Sequence, residues 1–278
     1  MCRWLAYSGA PILIEKMLFD PANSIVVQSL DSKLGATRTN GDGFGVGWYG
    51  EGHVPALYKT TSPAWNDRNL RELSRQIRSH LVFAHVRAAT GTPVQQTNCH
   101  PFRHGKWMWM HNGVIAEFDR IKRDLLLAID PDLFCAVEGS TDSEVFFFLA
   151  LTFGLDQDPI GAVQRAVKFI EDCGRRSGIE FPMQMTVGVT DGRSIWAFRY
   201  ASAGTSRTLF VSCEPEKLRT VYPENQLFQE LSKNTRLIVS EPLSEMEGVW
   251  TELPESSCTI VTNGKVDVGV FAPVEAGR

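Results

Sequence analysis

The chain has 278 residues, 43% apolar and 22% charged, proportions that exclude a fibrous or intrinsically disordered protein. Its net charge of −4 (28 basic against 32 acidic residues), with no basic stripe interleaved with aromatics, argues against a nucleic-acid surface. The longest strongly apolar stretch, 145–155, is too short to span a bilayer, so no membrane association is expected.

No basic and apolar leader opens the chain. Six cysteines without a C-x-x-C pair, and six histidines scattered along the chain, predict a cytoplasmic protein with reduced thiols, no metal site and no cofactor.

In chain order, 3–8 reads as a strand. Residues 11–19 have helical spacing, with Leu13, Met17 and Leu18 on one side, and 24–30 reads as a strand. The polar segment 31–42 is a loop of a length that is often functional. Gly alternating with large residues over 43–49 predicts a strand closely approached by other groups. A strand at 56–60, a helix at 66–77, a buried strand at 81–87 and a long loop at 88–101 follow.

Residues 107–111 predict a strand and 116–129 a helix. Thr141 and Glu144 form a capping box that starts a helix running to about 155, and a second helix spans 160–177. The remainder reads as strands at 183–190, 194–200, 208–212, 236–240, 249–253, 258–262 and 266–271. Asp191-Gly192 and Asn263-Gly264 serve as two-residue hairpin turns, and 215–232 carries no clear pattern. The order predicts α+β architecture: antiparallel sheets with helices outside, one domain over 1–278.

Cys2 follows only Met1. Removal of the initiator would give one residue a thiol nucleophile and an α-amine whose pKa near 7.7 suits a general base. A small buried apolar cysteine is the plainer alternative. Three further stretches put polar side chains where buried strands end. Arg87 offers a planar fork for a carboxylate, or a structural ion pair. Asn112 and Gly113 offer adjacent side-chain and backbone N–H donors, as an oxyanion hole needs, or an ordinary turn. Asp142, in the first turn of its helix, suits a substrate ammonium or simply the helix dipole. His100 is either a catalytic partner of Cys2 or a hydrogen-bonding support for its loop, and it counts with Arg87, Thr90 and Asp142 among the candidate substrate-binding residues.

Taken together, Met1-Cys2-Arg3, Asn40-Gly41-Asp42-Gly43-Phe44-Gly45, His85-Val86-Arg87-Ala88-Ala89-Thr90, Asn98-Cys99-His100-Pro101, His111-Asn112-Gly113 and Ser140-Thr141-Asp142-Ser143-Glu144 occur in an order that resembles the class II glutamine amidotransferase domain of the N-terminal nucleophile (Ntn) hydrolases. The resemblance implies a four-layer αββα sandwich of two antiparallel sheets. It implies that Cys2 attacks a γ-glutamyl carbonyl through a thioester while its α-amine moves protons. Asn112 and Gly113 would hold the oxyanion. Arg87 would bind the substrate α-carboxylate, with Thr90 near it, and Asp142 the α-ammonium.

Ala88 and Gly91 stand where synthase-fused members usually carry Trp and His, so the resemblance is to the stand-alone group. The leading expectation is an amidohydrolase of glutamine or a γ-glutamyl compound. A glutaminase subunit passing ammonia to a separate synthase partner, an Ntn hydrolase of a non-glutamyl amide, and a binding protein that kept the fold are the alternatives. A homo-oligomer is equally open.

Overall fold

The structure is a computed structural model that describes residues 2–35, 37–89 and 91–274. Its strands are β1 (Arg3–Leu13), β2 (Phe44–Trp48), β3 (Ala56–Thr60), β4 (Arg78–Val86), β5 (Phe102–His104), β6 (Trp107–Ile115), β7 (Met183–Thr190), β8 (Ser194–Ala201), β9 (Phe210–Ser212), β10 (Arg236–Val239), β11 (Trp250–Glu252), β12 (Ser257–Thr262) and β13 (Lys265–Val270). They form a seven-stranded sheet, β11-β9-β10-β1-β4-β2-β3, and a six-stranded sheet, β13-β12-β8-β7-β6-β5. The pairings are antiparallel.

The period of two along each strand sorts its side chains between layers. On β1, Leu5 and Tyr7 pack outward against Met17 and Leu18 of α1 (Glu15–Leu18), Ile25 and Val26 of α2 (Ile25–Leu30) and Leu70 of α3 (Arg68–Ser74). Trp4 and Ala6 point the other way, into a core shared with Met108 and Met110 of β6 and Ile195 and Ala197 of β8.

The far face of the second sheet, with Trp109, Met185 and Val187, packs on α4 (Phe118–Leu127), α6 (Asp142–Thr152) and α7 (Pro159–Arg176). The short α5 (Pro131–Phe134) leads into α6. The architecture is thus the αββα sandwich of two antiparallel sheets that the resemblance implies. Helix α6 is buried on every side, as an all-round apolar helix must be. Its Phe146, Phe147 and Phe148 each contribute about 1.5–3 kcal/mol of burial. Among the described residues no helix is long and apolar enough to cross a membrane.

Several local expectations are corrected. Residues 24–30 are helical, not a strand: the Ser24 hydroxyl accepts from the Val27 N–H and caps α2, outweighing the β-branched Ile-Val-Val run. The helix expected at 11–19 shrinks to α1, because β1 continues to Leu13 along β4. The helix expected at 66–77 begins at Arg68, where the Asp67 carboxylate caps the Leu70 N–H.

Asp191-Gly192 is not a two-residue turn. Thr190 is registered against Ile195, and Asp191 Oδ1 accepts from the Arg193 and Ser194 N–H groups to make a longer connection. Asn263-Gly264 does close a two-residue hairpin, since Thr262 pairs with Lys265. The unassigned 215–232 contains α8 (Pro215–Val221) and α9 (Gln226–Glu230).

Candidate active site

Strand register builds the site. Arg3 of β1 lies opposite Val86 of β4, and Phe44 of β2 lies opposite the same Val86. Just beyond this shared end stand Cys2, Arg87 and the Asp42–Gly43 turn. The Arg87 N–H donates to the Gly43 carbonyl at 2.8 Å, and Ala89 N–H to Asp42 Oδ2 at 2.8 Å. The Cys2 thiol donates to the Ala88 carbonyl at 3.7 Å. Cys2 itself is held from behind: Arg3 Nη1 donates to its carbonyl at 2.8 Å, and Arg3 Nε to buried Glu241 at 3.0 Å.

The second sheet brings the proposed oxyanion donors. Asn112 and Gly113 are not a turn. Strand β6 runs through them to Ile115, pairing them with Thr186 and Met185 of β7. The earlier expectation of a strand ending at His111 is therefore too short. Trp4 Nε1 donates to Thr186 Oγ1 at 3.1 Å, and that hydroxyl donates to the Asn112 carbonyl at 3.3 Å. This relay ties the strand carrying Cys2 to the strand carrying Asn112. Asn112 is buried, and its Nδ2 donor has no partner among the described residues. A Cβ at Gly113 would sit 2.0 Å from the Gln184 carbonyl oxygen and 2.4 Å from His111 Nε2, so glycine is required there.

Asp142 opens α6, just past the Thr141 cap whose hydroxyl accepts from Glu144 N–H at 3.1 Å. Asp142 Oδ2 accepts from the Ile115 N–H at 2.8 Å; Oδ1 accepts from the Ser143 N–H at 2.7 Å and the Ser143 hydroxyl at 3.1 Å. Ser143 also meets His111 Nδ1 at 2.8 Å. The helix start is thus pinned to the strand that carries Gly113.

Cys2, Arg87, His100, Gly113 and Asp142 line one cavity of about 470 Å³. Asn112 precedes Gly113 in β6 and is not among the residues that line this cavity. Thr90 lies outside the described residues, as does Met1. Among the described residues Arg87 forms no ion pair, and its guanidinium reaches neutral acceptors: Thr92 Oγ1 at 2.7 Å and the carbonyls of Pro93 at 3.2 Å and Asp42 at 3.4 Å.

The loop-supporting hydrogen bonds expected of His100 are not made. Its ring nitrogens have no hydrogen-bond partner among the described residues; the ring stacks on His85 at 4.2 Å and Phe102 at 4.4 Å. Burial holds it well below the ordinary histidine range, so it is a neutral wall. Burial likewise pushes the Cys2 thiol up, against the opposing pull of the Ala88 backbone and the Arg87 and Arg3 charges. The sulfur does not ionise unaided, so a nucleophilic role needs a base.

Sequence reading missed the rest of the wall: Thr92 and the first turn of α4 with Glu117, Phe118, Asp119 and Arg120. The apolar period of α4 reports which face meets the core, not where its first turn lands. A second cavity, about 670 Å³ and larger, lies across the outer side of the seven-stranded sheet, where Tyr7, Met17, Leu218, Phe228 and Trp250 line it.

The family model for "Glutamine amidotransferases class-II" matches residues 16–276. The chain is 37% identical to the "Probable glutamine amidotransferase DUG3" of Saccharomyces cerevisiae, over 92% of this chain and 80% of that protein. It is 33% identical to the "Gamma-glutamyl-hercynylcysteine sulfoxide hydrolase" of Mycobacterium tuberculosis, over 56% of this chain and 63% of that one. A glutamine aminotransferase class-II domain protein from Silicibacter pomeroyi superposes with a TM-score of 0.75 at 30% identity, covering 99% of this chain and 100% of that chain. The glutamine phosphoribosylpyrophosphate amidotransferase of B. subtilis shares the fold, at a TM-score of 0.66 and 13% identity, over 99% of this chain and 50% of its own. The chain is an enzyme that belongs to the class II glutamine amidotransferases.

Proposed function

We propose that this chain, as a single domain, hydrolyses the γ-amide of glutamine or a γ-glutamyl compound through a γ-glutamyl thioester on Cys2. The observation that carries the reading is the pair of uncompensated charges in one cavity. Arg87 has five N–H donors, and those in use face neutral atoms, so its positive charge lacks a counter-ion. Asp142 has about four acceptor sites, three of them filled by neutral donors, and its negative charge also lacks a counter-ion. An α-amino-acid head group supplies both missing partners at once: carboxylate to Arg87, ammonium to Asp142.

With the head group held there, Cys2 attacks the γ-carbonyl once Met1 is removed. Its α-amine takes the thiol proton and returns it to the departing nitrogen; water then opens the thioester by the reverse sequence. The unpartnered Asn112 Nδ2 and the Gly113 N–H stabilise the oxyanion. The relative named as a γ-glutamyl hydrolase supports a γ-glutamyl substrate as well as glutamine itself.

Paired assays of a γ-glutamyl amide and its desamino analogue test the clamp. Sites that use a buried polar partner reject the analogue lacking it by about 10⁴-fold. Wild type should show discrimination of that order, and Asp142→Ala should lose it. Equal cleavage of the two by wild type, or unchanged discrimination in the variant, would point to a non-glutamyl amide instead.

A further inference from the structure

Of the three buried histidines, His85, His100 and His111, one differs from the others. His85 and His100 have no hydrogen-bond partner on either ring nitrogen among the described residues. His111 lines the catalytic cavity and has one: its Nδ1 lies 2.8 Å from Ser143 Oγ. No step of the proposed reaction uses it.

The direction of that bond is fixed by its neighbours. Burial holds His111 below the ordinary histidine range, against the pull of Asp142, so the ring is neutral and carries one proton. The single proton of the Ser143 hydroxyl goes to Asp142 Oδ1 at 3.1 Å, because a carboxylate only accepts. Ser143 Oγ therefore accepts from His111 Nδ1–H.

The other side of the ring meets the strand that carries the oxyanion donors. A Cβ at Gly113 would sit 2.4 Å from His111 Nε2, so the ring packs against the Gly113 backbone. Along β6, Trp109 and His111 face Phe146 of α6, and Asn112 alternates to the face of Met110, toward the sheet that carries Cys2. The imidazole is thus a spacer between the start of α6 and the oxyanion pair.

Asp142 is in this way fastened to β6 on both sides of that pair. One fastening is direct, to the Ile115 N–H at 2.8 Å, two residues after Gly113. The other runs through Ser143 to His111, the residue before Asn112. A displacement of Asp142 is therefore passed to the strand that holds both donors. Misplacing a catalytic group by about 1 Å can cost 10²-fold in rate, so such a frame matters to the chemical step.

We propose that His111 is a positioning residue that, through Ser143, holds the ammonium-binding carboxylate of Asp142 and the oxyanion pair Asn112–Gly113 in one frame, so that recognition of the substrate α-ammonium is expressed in the rate of the chemical step and not in binding alone. This rests on the glutamyl reading above.

The test measures kcat and KM separately for a γ-glutamyl amide and its desamino analogue. In wild type most of the discrimination should fall on kcat. Discrimination carried by KM alone overturns the proposal and leaves the glutamyl clamp standing; equal treatment of the two compounds overturns the clamp, and the proposal with it. These wild-type outcomes hold whatever the folding of any variant. His111→Leu should lower kcat for the γ-glutamyl amide by about 10-fold, the scale of one buried hydrogen bond, with KM within about twofold. His111→Asn, whose side-chain amide can donate from the place of Nδ1, should recover most of that loss. The double variant His111→Leu, Ser143→Ala should cost no more than the worse single variant, because the two residues form one connection. A wild-type kcat in His111→Leu, no recovery in His111→Asn, or additive losses in the double variant overturns the role of His111.

Discussion

The two cavities are served by one strand. β1 presents Cys2 to the smaller and Tyr7 and Ile12 to the larger. The larger is walled by Met17, Leu218, Phe228 and Trp250, side chains that need no partner. The smaller is walled by Arg87 and Asp142, charges without counter-ions among the described residues, and Asn112, whose Nδ2 is unpartnered among them, adjoins Gly113 of the same wall. Volume does not distinguish a catalytic site from a gap under short helices. Polar groups whose bonding capacity the protein leaves open do, because each is costly until a ligand meets it.

Substitutions should separate the two regions sharply. Cys2→Ala should lower kcat by about 10⁶-fold, the scale on which loss of a covalent nucleophile is felt. A residue added before Cys2 should do the same by converting the amine to an amide, and single-turnover assays of the intact protein measure both. Asn112→Ala removes one oxyanion donor and should cost about 10²- to 10³-fold in kcat with little change in KM. A mainly KM effect would place Asn112 in ground-state binding.

Acid should act through the chemistry of the small cavity's wall. His85, His100 and His111 are buried together, and burial lowers all three, His85 to about 3. Unfolded, each takes up a proton near pH 6.5. The unfolded chain therefore binds more protons than the folded one below that pH. Stability should be fully present above about pH 6.5 and fall as the pH drops toward 3, by up to ~1.4 kcal/mol per pH unit for each histidine. Urea midpoints at pH 7 and pH 5 measure this.

The control is Phe228→Ala in the apolar cavity. It should cost about 2–3 kcal/mol of stability, at the low end for such a truncation because the side chain already borders open space. kcat/KM should stay within about twofold of wild type.

How far the site was legible in the sequence follows the same division. Cys2, Arg87, Gly113 and Asp142 could be picked out because each sits at the end of a readable element, and the fold brings those ends together. The αββα layering was legible from strands whose alternate residues serve two cores, as Leu5 and Trp4 do. Local chemistry was harder to see. The Ile25-Val26-Val27 run favours a strand by its branching, yet one hydroxyl at Ser24 decides for a helix. Asn112-Gly113 favours a turn by propensity, yet pairing with β7 carries the strand through it. Glu117 and Arg120 reach the cavity through tertiary placement alone.

The placement of β1 also has a consequence in time. It is the middle strand of the seven, flanked by β4 and by β10, whose Val239 pairs with Leu5. Leu5 leaves the ribosome long before Val239 is made. At roughly 5–20 residues per second, tens of seconds separate them. During that interval β1 has emerged but has no completed sheet to join. Until β10 is made, only the β4 side of β1 can find its partner.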